Sequence, residues 1–283
     1  RFAVYNHNPY ENCTYVGETS QGTRLSVNAE VMSCDLKIGI GSVVPHAQSG
    51  YGGGGKLVLP GIAYIDSIED FHRLETRARE AGQSGVVGPG NYAENPMIRD
   101  FTEAAKMVGL DFKIDTLING AGEPCAIFAG DPEAEFREAL KSAVSHYATK
   151  TVPGVDVAVV NNYSKANEAI VGMLIGVPLL MEKGGDLVLI MDCPEGQVVH
   201  YVLGSFGKSV GGRLFRPIDF ELPWVKRMII LSPQYERSFT DWLAIPGTIW
   251  VRSWSEALEI LTQDYPAGAR AAVVPDGTIQ YLA

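Results

Sequence analysis

The chain has 283 residues, 46% of them hydrophobic, with 23 basic against 33 acidic side chains and a net charge of −10. That length allows one large or two ordinary domains with a substantial core. The acidic balance disfavours nucleic acid as a partner, and no run reaches the roughly 18 apolar residues of a membrane helix, so no membrane association is expected.

In chain order, Phe2–Tyr5 and Leu36–Val44 read as strands, with a helix over Ser26–Cys34 between them. Helices are predicted over Ser67–Ala81, Asn95–Val108 and Pro132–Tyr147, and a pair of strands over Phe112–Leu117 and Cys125–Ala129. Thr149-Lys150-Thr151-Val152-Pro153-Gly154 is polar and ends in Pro-Gly, which marks a linker over 149–154 between units at 1–148 and 155–283. Strands follow at Val155–Val160, Asp186–Met191, Met228–Leu231, Thr248–Val251 and Ala271–Val274, with helices near Ser164–Ile175, Phe239–Leu243 and Ser255–Thr262. The alternation predicts two α/β domains, the second with a small parallel sheet. Cys13, Cys34, Cys125 and Cys193 lie far apart without a C-x-x-C, which disfavours a clustered zinc or iron–sulfur site and suits a reducing cytoplasm. No secretory signal is read.

The richest stretch for chemistry runs from Pro45 to Gly61. Five of the six residues from Gly50 to Gly55 are glycine, with His46 before the loop and Lys56 directly after it. Such a loop lets backbone N–H groups approach a ligand closely. Gly50-x-x-x-x-Gly55-Lys56 meets the first seven positions of a P-loop, but Leu57 stands where a magnesium-binding hydroxyl belongs. Pro60-Gly61 would also break the helix that a P-loop feeds. On the helix at Ser67, Ser67-x-x-Asp70 reads as a capping box. His72 then borders the buried face set by Ile68, Phe71, Leu74 and Ala78, with Glu69 and Arg73 as candidates to fix its tautomer.

His46, the glycine loop, Lys56, Leu59-Pro60-Gly61 and His72 together resemble the nickel-pincer-nucleotide lactate racemase family. Upstream, Asn6-His7, Val16–Thr23 and Cys34–Ile38 fit the same resemblance, which is strong over about residues 5–75 and diffuse beyond about residue 150. It implies that Lys56 is joined through a thioamide to pyridinium-3-thioamide-5-thiocarboxylic acid mononucleotide and that His72 ligates nickel. It implies further that His46 is an acid/base group and that Gly50, Tyr51, Gly52, Gly53, Gly54 and Gly55 lie against the cofactor. The active site would sit in the cleft between two α/β domains, in the cytoplasm. A small 2-hydroxy acid is the implied substrate, and cofactor-maturation enzymes are implied partners. A second catalytic histidine and a substrate-binding arginine belong to family residues upstream of the matching segment.

Beyond the linker the pattern departs from the lactate enzymes. Their Asp-x-Asn-x-Tyr-Gln-x-x-Lys segment has its nearest match at Lys165-Ala166-Asn167-Glu168-Ala169-Ile170-Val171-Gly172-Met173, where only Asn167 is kept. Ala169, Ile170 and Met173 replace the Tyr, Gln and Lys, which points to a substrate other than lactate and a roomier pocket at Gly172, Met173 and Ile175. Asn167 and His200, the latter after a turn-like Cys193-Pro194-Glu195-Gly196, are the candidate substrate-side residues. The reading is a 2-hydroxy acid racemase or epimerase. A non-catalytic binder of the cofactor and a nucleotide-binding hydrolase remain as alternatives. His146 and Trp224, Trp242, Trp250 and Trp254 read as structural.

Overall fold

The structure, a computed structural model, describes residues 3–152, 154–198, 200, 202–204, 213–214, 222–234 and 247–283. The expected helix over Phe239–Leu243, together with Trp242, lies outside the described residues, as does Phe2; residues 3–5 form no strand.

The chain opens with an antiparallel hairpin, β1 (Cys13–Glu18) and β2 (Arg24–Asn28), bulged between Tyr15 and Gly17. The helix expected over Ser26–Cys34 shrinks to α1 (Ala29–Met32), because Leu25 and Val27 alternate inward as strand residues. Asn28 ends the strand and caps the helix, accepting from the Glu30 and Val31 amides at 3.0 and 3.1 Å.

β3 (Ile38–Ser42) pairs in parallel with β6 (Phe112–Ile118), which pairs antiparallel with β7 (Pro124–Gly130). Between β3 and β6 come the two-residue strands β4 (Pro45–His46) and β5 (Gly50–Tyr51), then α2 (Ile65–Glu80) and α3 (Pro96–Val108); α4 (Pro132–Tyr147) follows β7. The apolar stripes of these helices, among them Ile68, Phe71, Phe101 and Phe136, close over Tyr51, Val58 and Leu59 in one core. Helix α2 starts at Ile65, so Ser67 is not its cap. Its hydroxyl instead donates to the Arg24 carbonyl at 2.6 Å and accepts from the Ser26 amide at 2.9 Å, which fastens α2 to β2.

The second sheet has order β12-β11-β10-β9-β13, all parallel: β9 (Val157–Asn161), β10 (Gly185–Ile190), β11 (Val225–Leu231), β12 (Ile249–Val251) and β13 (Ala271–Val274). Alternate residues serve opposite faces. Ala158, Val160, Leu187, Leu189 and Ile230 pack towards α5 (Met173–Leu180), while Val157, Val159, Val188 and Ile229 pack with Ala257 and Leu261 of α6 (Trp254–Asp264). Both faces are covered, which explains the unbroken apolar runs. The helix expected over Ser164–Ile175 is a 3-10 segment at Ala166–Gly172 leading into α5. The chain steps outward from β9 to β12 and then returns to β13 on the other side of β9. The carboxyl ends of β9 and β13 therefore flank a topological switch point, where open α/β sheets form a ligand crevice.

The stretch 149–154 is tied down at its start. β8 (Ala148–Thr149) pairs in parallel with β14 (Tyr281–Leu282), and Gln280 Nε2 donates to Thr149 Oγ1 at 2.7 Å. Val202, Leu203, Leu214, Ile279 and Tyr281 pack with the core of the first unit, so parts of 155–283 belong to it by contact. No helix among the described residues is long and apolar enough to cross a membrane.

Candidate active site

Short local structures place three of the expected groups. His46 ends β4, and its Nδ1 accepts from the Gln48 and Ser49 amides, each at 3.2 Å. An amide can only donate, so in the neutral ring the hydrogen sits on Nε2. Lys56 lies in a 3-10 turn, Gly54–Leu57, with its own amide on the Gly53 carbonyl at 3.1 Å. His72 lies on α2, 4% exposed, with Nδ1 2.7 Å from the Ile68 carbonyl. A carbonyl only accepts, so Nδ1 carries the hydrogen and Nε2 keeps its lone pair, the arrangement of a metal-ligating imidazole. The tautomer is thus fixed by the backbone one turn earlier. Glu69 and Arg73, expected in that role, pair with each other at 2.5 Å, and Glu69 also meets Arg213 at 3.2 Å.

The loop glycines mostly answer to the protein. A Cβ on Gly50 (φ +77°) would lie 2.0 Å from the Asn91 carbonyl oxygen, and one on Gly54 (φ +53°) 2.6 Å from the Phe136 ring. A Cβ on Gly55 would lie 2.2 Å from the Phe101 carbonyl oxygen, whereas at Gly52 the nearest atom would be 3.8 Å away. Tyr51, expected against the cofactor, is a core residue with no exposure, its ring edge-on to Tyr92 and Tyr281.

His200 joins these groups. Its ring stands edge-on to His72, centroids 4.7 Å apart. Its Nδ1 accepts from the Val202 and Leu203 amides at 3.2 Å, the same turn that holds His46. Val202 and Leu203 pack in the first core, and this delivers a histidine from the second half of the chain to α2.

Lys165, which the sequence reading did not single out, is a further member. It follows β9 at the switch point, its amide on Thr278 Oγ1 at 3.1 Å and the Ser164 amide on Asp276 Oδ2 at 2.8 Å. Asn167 lies in the next turn and accepts the Val198 amide on its backbone carbonyl at 2.7 Å. Met173 and Ile175 are core residues of the second sheet, and Gly172 is pressed on Asn162, so these three do not widen a pocket. The signal for Lys165 was its position, three residues past the Asn161-Asn162 end of a buried strand and one past Ser164.

The groups depress one another's protonation. His46 falls well below its ordinary range through burial first and then Lys56, Lys165, His72 and His200. Burial and His200 bring His72 down to about 3, and burial with Lys56 brings His200 down to about 4. Lys56 falls to about 8, by burial and the Lys165 charge, against Glu168, which raises it. Lys165 is lowered by burial, with Glu168 and Asp276 opposing. His46, Lys56, Lys165 and His200 each retain some accessible surface while protein surrounds them, which describes groups lining a cleft. Neither lysine has an ion-pair partner among the described residues, and Glu168 acts on both from longer range.

This is an α/β fold with an amine, three imidazoles and a second amine gathered where two sheets meet. Residues 1–84 match the family described as Lactate racemase N-terminal domain. The lactate racemase of Thermoanaerobacterium thermosaccharolyticum is 27% identical over 69% of this chain and 46% of its own length; that of Lactiplantibacillus plantarum is 31% identical over 42% and 27%. The chain spans less than half the length of either relative. In fold it is similar to the lactate racemase apoprotein from T. thermosaccharolyticum, with TM-score 0.71 at 20% identity over 98% of this chain and 70% of that one. A Thermotoga maritima protein gives TM-score 0.65 at 18% identity over 99% and 78%. The likeness to lactate racemases is thus one of family model over residues 1–84 and of fold over nearly the whole chain.

Proposed function

We propose that this chain forms much of the active site of a 2-hydroxy acid racemase or epimerase that carries a nickel-pincer nucleotide on Lys56 and acts on a substrate other than lactate. The observation that carries this reading is the convergence of His46, Lys56, His72 and His200 with Lys165. The residues suit the group. Lys56 is partly neutral at physiological pH and so nucleophilic. His72 offers one free lone pair. Among the described residues no cluster of three or more His, Cys, Asp or Glu is disposed to hold a metal, so the remaining ligands would come from the organic group, whose soft donors suit nickel. When bound, that group supplies the hydride acceptor.

The chain's own residues bind and orient. Lys165 fits the substrate carboxylate, because it lines the cleft and has no carboxylate within ion-pair distance among the described residues. His46 Nε2–H is suited to donate to the substrate hydroxyl. To take the hydroxyl proton, Nε2 must exchange its hydrogen for a lone pair, which requires Nδ1 to leave the Gln48 and Ser49 amides. Asn167 and His200 border the same space as positioning groups. Cofactor-maturation enzymes are the partners this reading requires, and the cytoplasm is the compartment it favours.

The glycine loop does not favour the nucleotide-binding alternative. The Gly54 amide, which would face a phosphate in a P-loop, donates instead to Asp115 Oδ2 at 2.6 Å, and only a short 3-10 turn follows. The test is intact mass with nickel analysis on the protein co-expressed with maturation enzymes. The expected result is an added mass on Lys56 and about one nickel per chain. Unmodified protein under conditions that load a known family member would overturn the reading.

A further inference from the structure

Under the turn that carries Lys56 lie three buried ionisable side chains that the proposed chemistry does not use. Lys113 and Asp115 on β6 have no solvent exposure, and Glu135 on α4 has 5%. Two glycines of β3 make room for them. A Cβ on Gly39 would lie 2.8 Å from Lys113 Cδ, and one on Gly41 3.0 Å from Asp115 Oδ1. Lys113 Nζ donates to Asp115 Oδ1 at 2.5 Å and to the Ile114 carbonyl at 3.1 Å. Asp115 Oδ2 accepts the Gly54 amide at 2.6 Å. Burial first and then Asp115 push Glu135 up to about 8. Lys113 thus lies against the same carboxylate that touches the loop.

We propose that Asp115 is a positioning residue for Lys56: its carboxylate, balanced by Lys113, clamps the Gly54 amide and sets the turn from which Lys56 projects. Gly53 and Gly54 sit at φ +89° and +53°, conformations that side-chain-bearing residues rarely adopt. An ionised acceptor makes the strongest ordinary hydrogen bond to an amide, and this one grips the first residue of the four-residue turn Gly54–Leu57. The sheet supplies rigidity, since β6 is the central strand between β3 and β7. The inference concerns the unmodified chain and stands whether or not Lys56 receives a cofactor.

The test compares the unloaded wild type with Asp115→Asn. Amide exchange at Gly54 is followed by NMR, and Lys56 labelling by an amine-reactive reagent is quantified by mass spectrometry across pH, with thermal midpoint as the folding control. In the folded variant, Gly54 exchange should accelerate about tenfold or more, the loss of one charge-assisted hydrogen bond. The Lys56 labelling profile should also move towards an ordinary lysine while that of exposed Lys141 stays put. A folded variant in which Gly54 exchange and the Lys56 profile both match the wild type would overturn the proposal. If the variant fails to fold, the wild type decides: a Gly54 amide protected like its core neighbours supports the clamp, and one exchanging as freely as an exposed turn overturns it.

Discussion

His200 stands edge-on to His72 at 4.7 Å, yet the two rings carry their hydrogens on opposite nitrogens. His72 gives Nδ1–H to a carbonyl, and His200 takes two amides on Nδ1. Only His72 therefore offers Nε2 as a lone pair in the resting state. His72→Ala is expected to lose nickel and keep any Lys56 adduct, whereas His200→Phe, which preserves an aromatic edge, should retain nickel. Metal analysis beside intact mass checks both, and loss of nickel in His200→Phe would make that histidine a ligand.

The second expectation concerns Lys56. Its amine titrates near 8 in the unmodified protein, so labelling should reach half its maximal rate near that pH, well below an ordinary lysine. Replacing Lys165 by Met removes a like charge and should move the midpoint upward. In a turnover assay of the loaded protein, Lys165→Met should raise KM for an anionic substrate by about tenfold or more, the usual value of a charged contact. An unchanged KM would remove Lys165 from carboxylate binding.

The third concerns His46. Nitrogen-15 NMR of the unloaded protein should show Nδ1 as the unprotonated nitrogen, and the ring should stay neutral well into the acid range because burial opposes its charge. In the same turnover assay, His46→Ala should keep nickel and lose about 100- to 10,000-fold in turnover, the range for a proton-transfer group. Turnover within threefold of wild type would exclude it.

Glu135 gives a stability prediction. Its carboxyl titrates near 8 when folded, against 4.5 for the free side chain, so the folded protein holds a proton that the unfolded chain releases between those values. The stability this proton confers is complete below about pH 4.5 and drains away as pH rises towards 8. Glu135→Gln is neutral throughout. Its melting temperature should gain on the wild type steadily from about pH 5 to about pH 8. A constant gap across that range would mean Glu135 is ionised in the fold.

Much of this was legible in the sequence because it is periodic or densely marked. The unbroken apolar strands of the second sheet and the His46–Lys56–His72 spacing are of that kind. What was hidden depends on contacts distant in the chain. In Phe112-Lys113-Ile114-Asp115 the alternation runs opposite to polarity: Lys113 and Asp115 point inward, while Phe112 remains 40% exposed beside Ile38 at 54%. No pattern rule reveals that inversion, since it rests on the space left by Gly39 and Gly41. The β1–β2 hairpin was missed because its first strand is bulged and buries no residue fully. The family resemblance put Tyr51 against the cofactor with the rest of the loop, whereas it is wholly buried and anchors the loop to the core.

The last residues do more than end the second sheet. Gly277 is pressed against Val160 and Ile175, leaving no room for a side chain, while Tyr281 lies over Gly90 and donates its hydroxyl to the Val144 carbonyl at 2.9 Å. Five residues therefore grip both halves, one at each end, beside the joint at Thr149. The two halves behave as jaws on a riveted pin rather than as beads on a string. Cutting the chain before Gly277 would free the jaws and also remove Thr278, whose hydroxyl holds the Lys165 amide at 3.1 Å.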